Sequence, residues 1–324
     1  MVYVKKQRNL ESLDIITSAL NEEANILNLY DRLCEALVTF RQLRWNLHIV
    51  DNGSTDQTWS IIQKLAQEKG NVTGYKMSRT FLFDSAITTG LDHATADAVV
   101  IMCSDLQDPP ELLPEMIRKF ENGEDHVCVR IISRKGASFH LRFLTMLFYA
   151  LAEKLTQGVI SKNVSDFRFA SKKCYEAARS MRESKRFIRG QFGWVGFSPT
   201  YLAIDRPLRE AGVSKFQLLP KWSAIWLALS AIFSHSLVPL FAVAAIGFFS
   251  SLLSLVCTII FSLLWLFSGV PFAGFGTIVG VLSLGFSVLF LSIGTVALYL
   301  ASVYEEVKNR PLYVIAEKCG KIET

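Results

Sequence analysis

The chain has 324 residues, and 34 Lys and Arg against 29 Asp and Glu leave a formal charge of +5. Charged residues are 19% of the total and mean hydropathy is +0.30, a charge content below the roughly 25% of soluble domains. The deficit is local: no Asp, Glu, Lys or Arg occurs in the 83 residues between Lys221 and Glu305, which excludes a wholly soluble protein, a disordered one and a many-span transporter.

Residues 1–12 form an N-terminal arm whose Lys5, Lys6 and Arg8 lead into no apolar run, so no cleaved signal peptide is expected. From residue 13 apolar runs alternate with helical patterns. Residues 14–20 read as a strand, 22–40 as a helix with Ile26, Leu29, Leu33 and Leu37 on one face, 45–50 as a strand and 55–66 as a helix. Then come a strand at 72–77, a helix at 84–94 and a strand at 98–102. This alternation predicts an α/β fold, a mostly parallel sheet with helices on both faces, in a domain over residues 13–214. Such sheets bind ligands beyond the carboxyl ends of their strands. Glu22, Asp51, Asp105 and Asp108 fall there.

Asp51-Asn52-Gly53-Ser54-Thr55 is a turn into a helix, with Asn-Gly for the bend and Ser and Thr for the cap. Asp105-Leu106-Gln107-Asp108-Pro109-Pro110-Glu111 offers hard oxygen ligands of the kind that hold Mg²⁺ or Mn²⁺ against substrate phosphates. A solvated acidic loop is the alternative for that stretch. No phosphate-cradling G-x-x-x-x-G-K-[ST] loop, dinucleotide fingerprint or G-x-S-x-G elbow occurs. The basic residues are spread without interleaved aromatics, so nucleic acid is not expected as a partner. Six scattered cysteines show no zinc or disulfide spacing and are expected to be reduced thiols facing the cytosol.

Residues 215–237, with Lys221, Trp222, Trp226 and His235 among Leu and Ile, read as an amphipathic helix lying at the bilayer surface. Residues 238–304 then hold two expected spans, near 240–268 and 277–303, joined at the Gly269-Val270-Pro271 turn. Lys215 and Lys221 precede the hairpin, and Lys308, Arg310, Lys318 and Lys321 follow it. Positive residues on both outer flanks predict a multi-pass protein of the inner membrane or its equivalent, with the catalytic domain, both termini and a 305–324 tail in the cytoplasm.

In order, these motifs resemble the family 2 glycosyltransferases, and within them the membrane-bound polyprenyl-phosphate glycosyltransferases of bactoprenol glucosyltransferase and dolichyl-phosphate mannose synthase type. The resemblance runs from about residue 13 to 314 and rests on Asn21-Glu22-Glu23, Val50-Asp51-Asn52-Gly53-Ser54-Thr55-Asp56, Ser78-Arg79 and the Asp105 loop. It continues through Asp166-Phe167-Arg168, Arg186-Phe187-x-Arg189-Gly190, Arg206-x-x-Arg209, Gly212-x-Ser214-Lys215 and the tail Tyr304-Glu305-Glu306-Val307-Lys308-Asn309-Arg310-Pro311-Leu312-Tyr313. It implies a GT-A-like fold and transfer of a hexose, glucose first, from a nucleoside diphosphate sugar to a polyprenyl phosphate at the cytoplasmic face. Ser18, Leu20, Glu22, Val50, Asp51, Cys103, Ser104, Arg209 and Lys215 would then bind the nucleotide sugar, and Asp105 and Gln107 the metal, Mg²⁺ or Mn²⁺. Arg130, Arg168 and Lys215 would hold the acceptor phosphate; Asp166, Asp105 and Arg209 would be the catalytic group, Asp166 positioning Arg168 or the acceptor rather than acting as a base. The resemblance also implies a homo-oligomer packed through the spans in the lipid bilayer. Cys103 stands where the family carries an aspartate, which makes a catalytically silent partner subunit the alternative. A processive polysaccharide synthase is a lesser one, since Gln191-Phe192-Gly193-Trp194 lacks the arginine of the Gln-x-x-Arg-Trp signature.

Overall fold

A computed structural model describes residues 8–132, 164–184, 186–205 and 274–320, with scattered positions between 243 and 267. Two compact units divide the chain, one of Met1–Ser223 with Arg310–Thr324 and the other Ala224–Asn309.

The first unit is built on an eight-stranded sheet of order β7-β5-β6-β4-β1-β2-β3-β8. Its strands are β1 (Ser12–Ala19), β2 (Arg44–Asp51), β3 (Val72–Met77), β4 (Ala98–Cys103), β5 (His126–Ile131), β6 (Val164–Ser171), β7 (Thr200–Ile204) and β8 (Ile315–Gly320). The helices are α1 (Ile26–Leu37), α2 (Thr58–Glu68), α3 (Phe83–His93), α4 (Leu113–Glu121), α5 (Lys172–Ser180) and α6 (Ile188–Trp194). The central strands β3, β2, β1 and β4 are mutually parallel, as the alternation predicts. A central parallel strand is covered on both faces, and in β1 every residue from Leu13 to Thr17 is buried.

One face is covered by α1, α2 and α4, whose Leu29, Leu33, Ile62, Leu65, Met116 and Ile117 pack on Leu13, Ile15, Ile49 and Val100. The other is covered by α3, α5 and α6, with Ile87, Leu91, Tyr175, Ile188 and Phe192 on Ile16, Val99 and Ile101. Each helix presents an apolar stripe at helical spacing to the sheet, so the layered α/β architecture follows from the periodicity.

Four strands, β5 to β8, lie outside the sequence expectation, and of these β5 and β7 pair in parallel. Antiparallel β6 lies between β4 and β5. The segment expected as a free tail supplies β8, antiparallel to β3, with Tyr75 opposite Lys318 and Lys76 opposite Glu317. A short run of mixed polar and apolar residues is unremarkable in sequence, but it covers the otherwise bare edge of β3.

The second unit contains α7 (Phe275–Val307), 33 residues long. Within it Val288–Val307 is long and apolar enough to cross a membrane, the one such helix among the described residues. Residues 245–250 are helical, and a Cβ added to Gly247 would stand 3.9 Å from Ser292 Oγ of α7. The first expected span is otherwise described only at scattered positions, and the 215–237 surface helix lies outside the described residues. Ile246, Phe249, Phe267, Phe286, Phe290 and Leu300 are all exposed on the chain.

Candidate active site

Register brings the loops together. Ser18 pairs with Val50 on one side and with Cys103 on the other, so β1, β2 and β4 end level and their acidic loops share one rim. The Asn52 N–H donates to Ala19 O at 2.8 Å and Ser104 Oγ donates to Ser18 O at 2.9 Å. Asn21 adopts φ 53°, a left-handed conformation that asparagine tolerates. There its N–H donates to Ser54 Oγ at 2.9 Å, and its Oδ1 accepts the Thr55 N–H at 2.8 Å. The Glu22 N–H donates to Thr58 Oγ1, and the Glu22 carboxylate accepts Asn25 Nδ2 at 2.6 Å. Glu22 is therefore buried in the wall that joins the first two loops.

Asp51 is fully buried at the end of β2. Its Oδ1 accepts the Ser54 N–H at 3.0 Å, while Oδ2 has no hydrogen-bond partner among the described residues. Buried carboxylate oxygens are rarely left unsatisfied, and this one is an acceptor awaiting a donor. Beside it the Asn52 side chain and the Phe81 backbone exchange two hydrogen bonds, of 2.9 and 2.8 Å.

The Asp105 loop is drawn in by its neighbours. Leu106 holds φ 59°, a conformation costly for a residue with a branched side chain. Its side chain is buried in the main core, which compensates the strain and leaves Asp105 at the rim. Asp105 Oδ1 accepts the Gln107 N–H at 3.2 Å. Asp108 points inward, Oδ2 accepting the Cys103 N–H at 3.0 Å and Oδ1 the Ser165 hydroxyl at 3.3 Å, and so ties the loop to β6.

Among the described residues no three His, Cys, Asp or Glu side chains gather to cage a metal. Mg²⁺ is commonly held by one or two carboxylates and completed by substrate phosphates. Asp105 with Gln107 fits a cation shared in that way with a diphosphate. The Cys103 sulfur adds no hard oxygen.

Across the rim, Asp166 on β6 is forked by Arg189 of α6, with Nε to Oδ1 and Nη2 to Oδ2 both at 2.5 Å. The expectation from sequence is that Asp166 positions Arg168 or the acceptor; the guanidinium its carboxylate holds is that of Arg189. Arg168 lies beneath α6, 2% exposed, with its guanidinium 5.0 Å from the Phe192 ring centroid. It donates to the Asp166 and Ser165 carbonyls at 3.2 and 3.3 Å. As placed, it is buried and supports the strand that carries Asp166. The physical reason is cover: α6 closes over position 168, whereas position 166 lies where Arg189 emerges.

Asp84, in the first turn of α3, accepts the N–H of Ile188, the first residue of α6, at 2.9 Å. Burial pushes its carboxyl up to about 6, the Asp166 charge adding to the rise while the Ile188 N–H, Arg189 and Arg168 oppose it. Arg130 stands exposed with its guanidinium 3.9 Å from the Tyr201 ring centroid. Arg209 and Lys215 lie outside the described residues. The structure thus brings together the ends bearing Ser18, Leu20, Val50, Asp51, Cys103, Ser104 and Asp105, and adds Arg189 and Asp84. Arg189 sits in a motif legible in the sequence; nothing there singles out Asp84.

The profile of Glycosyl transferase family 2 matches residues 14–178, half of the chain. The chain belongs to glycosyl transferase family 2 and is a sugar transferase of GT-A-like fold. It is 35% identical over 309 residues to an uncharacterized glycosyltransferase of Synechocystis sp., covering 95% of this chain and 96% of that one. To the SfII prophage-derived bactoprenol glucosyl transferase of Shigella flexneri it is 34% identical over 307 residues, covering 94% of this chain and 97% of that one. Among solved structures, glucosyl-3-phosphoglycerate synthase from Mycobacterium tuberculosis in complex with UDP aligns over 68% of this chain and 80% of its own, at 19% identity and a TM-score of 0.47.

Proposed function

We propose that the protein transfers glucose from a nucleoside diphosphate sugar to a polyprenyl phosphate at the cytoplasmic membrane face, making a lipid-linked sugar. The observation that carries this is the extent of the likeness to the Shigella bactoprenol glucosyl transferase, which takes in the apolar segment as well as the catalytic domain. The silent-partner and processive-synthase alternatives find no support in the comparisons.

In this reading the unpartnered Asp51 Oδ2 accepts the ring N–H of a pyrimidine base. Asp105 and Gln107 hold the divalent cation, Mg²⁺ or Mn²⁺, whose bound charge would offset that of the departing diphosphate. An acceptor phosphate oxygen attacks the anomeric carbon, the bond from that carbon to the nucleoside diphosphate oxygen breaks, and its electron pair leaves with the diphosphate. A phosphate with a second pKa near 6 is largely dianionic at neutral pH and needs no general base. Asp166, forked by Arg189, therefore holds the guanidinium in place to orient the acceptor. Arg130, Arg209 and Lys215 are proposed as further phosphate contacts, and Ser18, Leu20, Val50 and Ser104 as the donor-side wall.

Membrane spans next to the catalytic domain leave the polyprenyl tail in the bilayer, sparing an extraction cost of ~0.8 kcal/mol per exposed CH₂. Because β8 and β1 share one sheet, the chain enters and leaves any membrane on the same side, which supports an even number of crossings and the two-span hairpin. The lysines and arginines that flank the apolar stretch support the cytoplasmic side. A homo-oligomer packed through the spans is part of the proposal.

The test incubates membranes containing the protein, undecaprenyl phosphate and Mg²⁺ or Mn²⁺ with radiolabelled UDP-glucose, UDP-galactose or GDP-mannose. Label extracted with the lipid and released as a single glucose is expected. Polymeric product would point to a processive synthase. A wild type that is inactive, beside an active Cys103→Asp variant, would point to the silent partner.

A further inference from the structure

The tail motif that ends at Tyr313 has no part in the site described so far. We propose that Tyr313, with Ile315 of β8, is a positioning element of the donor pocket, setting the loop that bears Asp51 and Asn52 through Phe81. This rests on reading that loop as the nucleotide-sugar site.

The backbone of the segment meets the end of β3, where the Ser78 N–H donates to Val314 O at 2.9 Å and Ile315 stands opposite Met77. Tyr313, Ile315 and Phe81 each pack against Val50, Tyr75, Met77 and Ala86, a cluster separate from the two main cores. Phe81 in turn clamps Asn52 through the reciprocal 2.8 and 2.9 Å hydrogen bonds. The turn rests directly on this clamp, since Gly53, at φ 79°, has room for no Cβ: one would stand 2.8 Å from Thr80 N. The Tyr313 ring is itself anchored, its hydroxyl donating to Asp92 Oδ2 at 2.9 Å, an oxygen that also takes Arg182 Nη1 at 2.8 Å.

Protection of the β3 edge requires only the ladder along β8. The Tyr313 ring is outside that ladder, yet it packs on the same cluster as Phe81, whose backbone fixes Asn52, next to the Asp51 oxygen that lacks a partner among the described residues. Removing the ring loosens the cluster on which Phe81 packs and lets the turn relax away from the position a base must meet. The loss falls on donor binding, not on transfer to the acceptor.

The experiment titrates UDP with Mn²⁺ into the full-length protein in nanodiscs, reading affinity by calorimetry alongside donor KM and kcat. Tyr313→Ala is expected to weaken UDP binding about tenfold and to raise donor KM with kcat little changed. Tyr313→Phe keeps the ring and retains affinity within about twofold. Gly320→Ala is the folding control, because a Cβ there would stand 2.3 Å from Val72 O at φ 94°, straining the far end of β8. It should lower Tm while leaving UDP affinity unchanged. In an Asn52→Ala background, Tyr313→Ala should add nothing further. Equal UDP affinity in wild type and Tyr313→Ala, an equal loss in Gly320→Ala, or additivity with Asn52→Ala would overturn the proposal. Should Tyr313→Ala fail to fold, Tyr313→Leu carries the same expectation. A wild type that binds no nucleoside diphosphate would sink the donor reading itself, a result distinct from all of these.

Discussion

Three carboxylates of the site differ in what surrounds them, and that sets what each can do. Asp51 is buried with one oxygen used and one unused, so its place in the reading is recognition. Asp51→Ala should weaken UDP binding by about 1.5–3 kcal/mol, the worth of a hydrogen bond to a charged group, and Asp51→Asn nearly as much if its amide faces the base N–H; unchanged calorimetric affinity in both would remove Asp51 from the donor pocket. Asp166 is committed to Arg189, so Arg189→Gln should lower kcat about a hundredfold by misplacing the acceptor while UDP affinity holds. Asp84 titrates at about 6 when folded, against an ordinary value of 3.8. Between those values the folded chain keeps a proton that the unfolded chain has lost, so stability falls as pH rises from about 4 to about 6 and stays lower above. Asp84→Asn keeps an acceptor for the Ile188 N–H without the charge. It should melt higher than wild type at neutral pH, by on the order of 1 kcal/mol, with the gap closing near pH 4; a gap independent of pH would refute the assignment.

At the level of elements, tight packing and strained turns aim the residues of the site. Helix α3 approaches β1 so closely that a Cβ on Gly90 would stand 2.3 Å from Ile16 Cγ2. Gly90→Ala gains up to about 1 kcal/mol of helix propensity but overpacks a rigid interface at a cost of about 1–3 kcal/mol. A lower melting temperature is therefore expected, and a higher one would show that α3 can shift outward. The central strands and their helices were legible within a few residues because their apolar positions recur at periods of 2 and 3.6. The 84–94 helix expected from sequence, for example, is observed as Phe83–His93. β6 and β8 were not legible as partners in that sheet. Their sequences, VSDFRFAS and IAEKCG, carry no clean alternation, and their places depend on which edges the remaining fold leaves open.

For the molecule as a whole, the composition break at Lys221 and the return of the chain at β8 bear on one question, the side of the membrane. A sheet that contains both β1 and β8 supports the proposal that the two ends of the chain lie on one side. Protease-cleavable tags before Met1 and after Thr324 should both be digested in inverted membrane vesicles and both be protected in spheroplasts. Digestion of one tag without the other would contradict an even number of crossings. The apolar side chains exposed on the second unit have the character of a lipid-facing surface, since contiguous apolar exposure of that extent is rare on soluble chains.

The sequence by itself determined the class of this protein. Hydrophobic periodicity and the absence of charge are local properties, and they specify a parallel α/β domain and a membrane segment without reference to any distant contact. The loops bearing Asp51 and Asp105 were legible for the same reason, each being a short motif at the end of a readable strand. Only the tertiary structure decided that Asp166 pairs with Arg189, that Arg168 is buried under α6, that Asp84 meets the start of α6, and that β8 closes the sheet edge beside β3. Those outcomes turn on which side chains share a face and what covers it, a matter of residues as far as 258 positions apart in the case of Trp59 and Glu317. Separations of that order leave no trace in local pattern, because the free energy that selects such contacts exists only once the sheet has assembled.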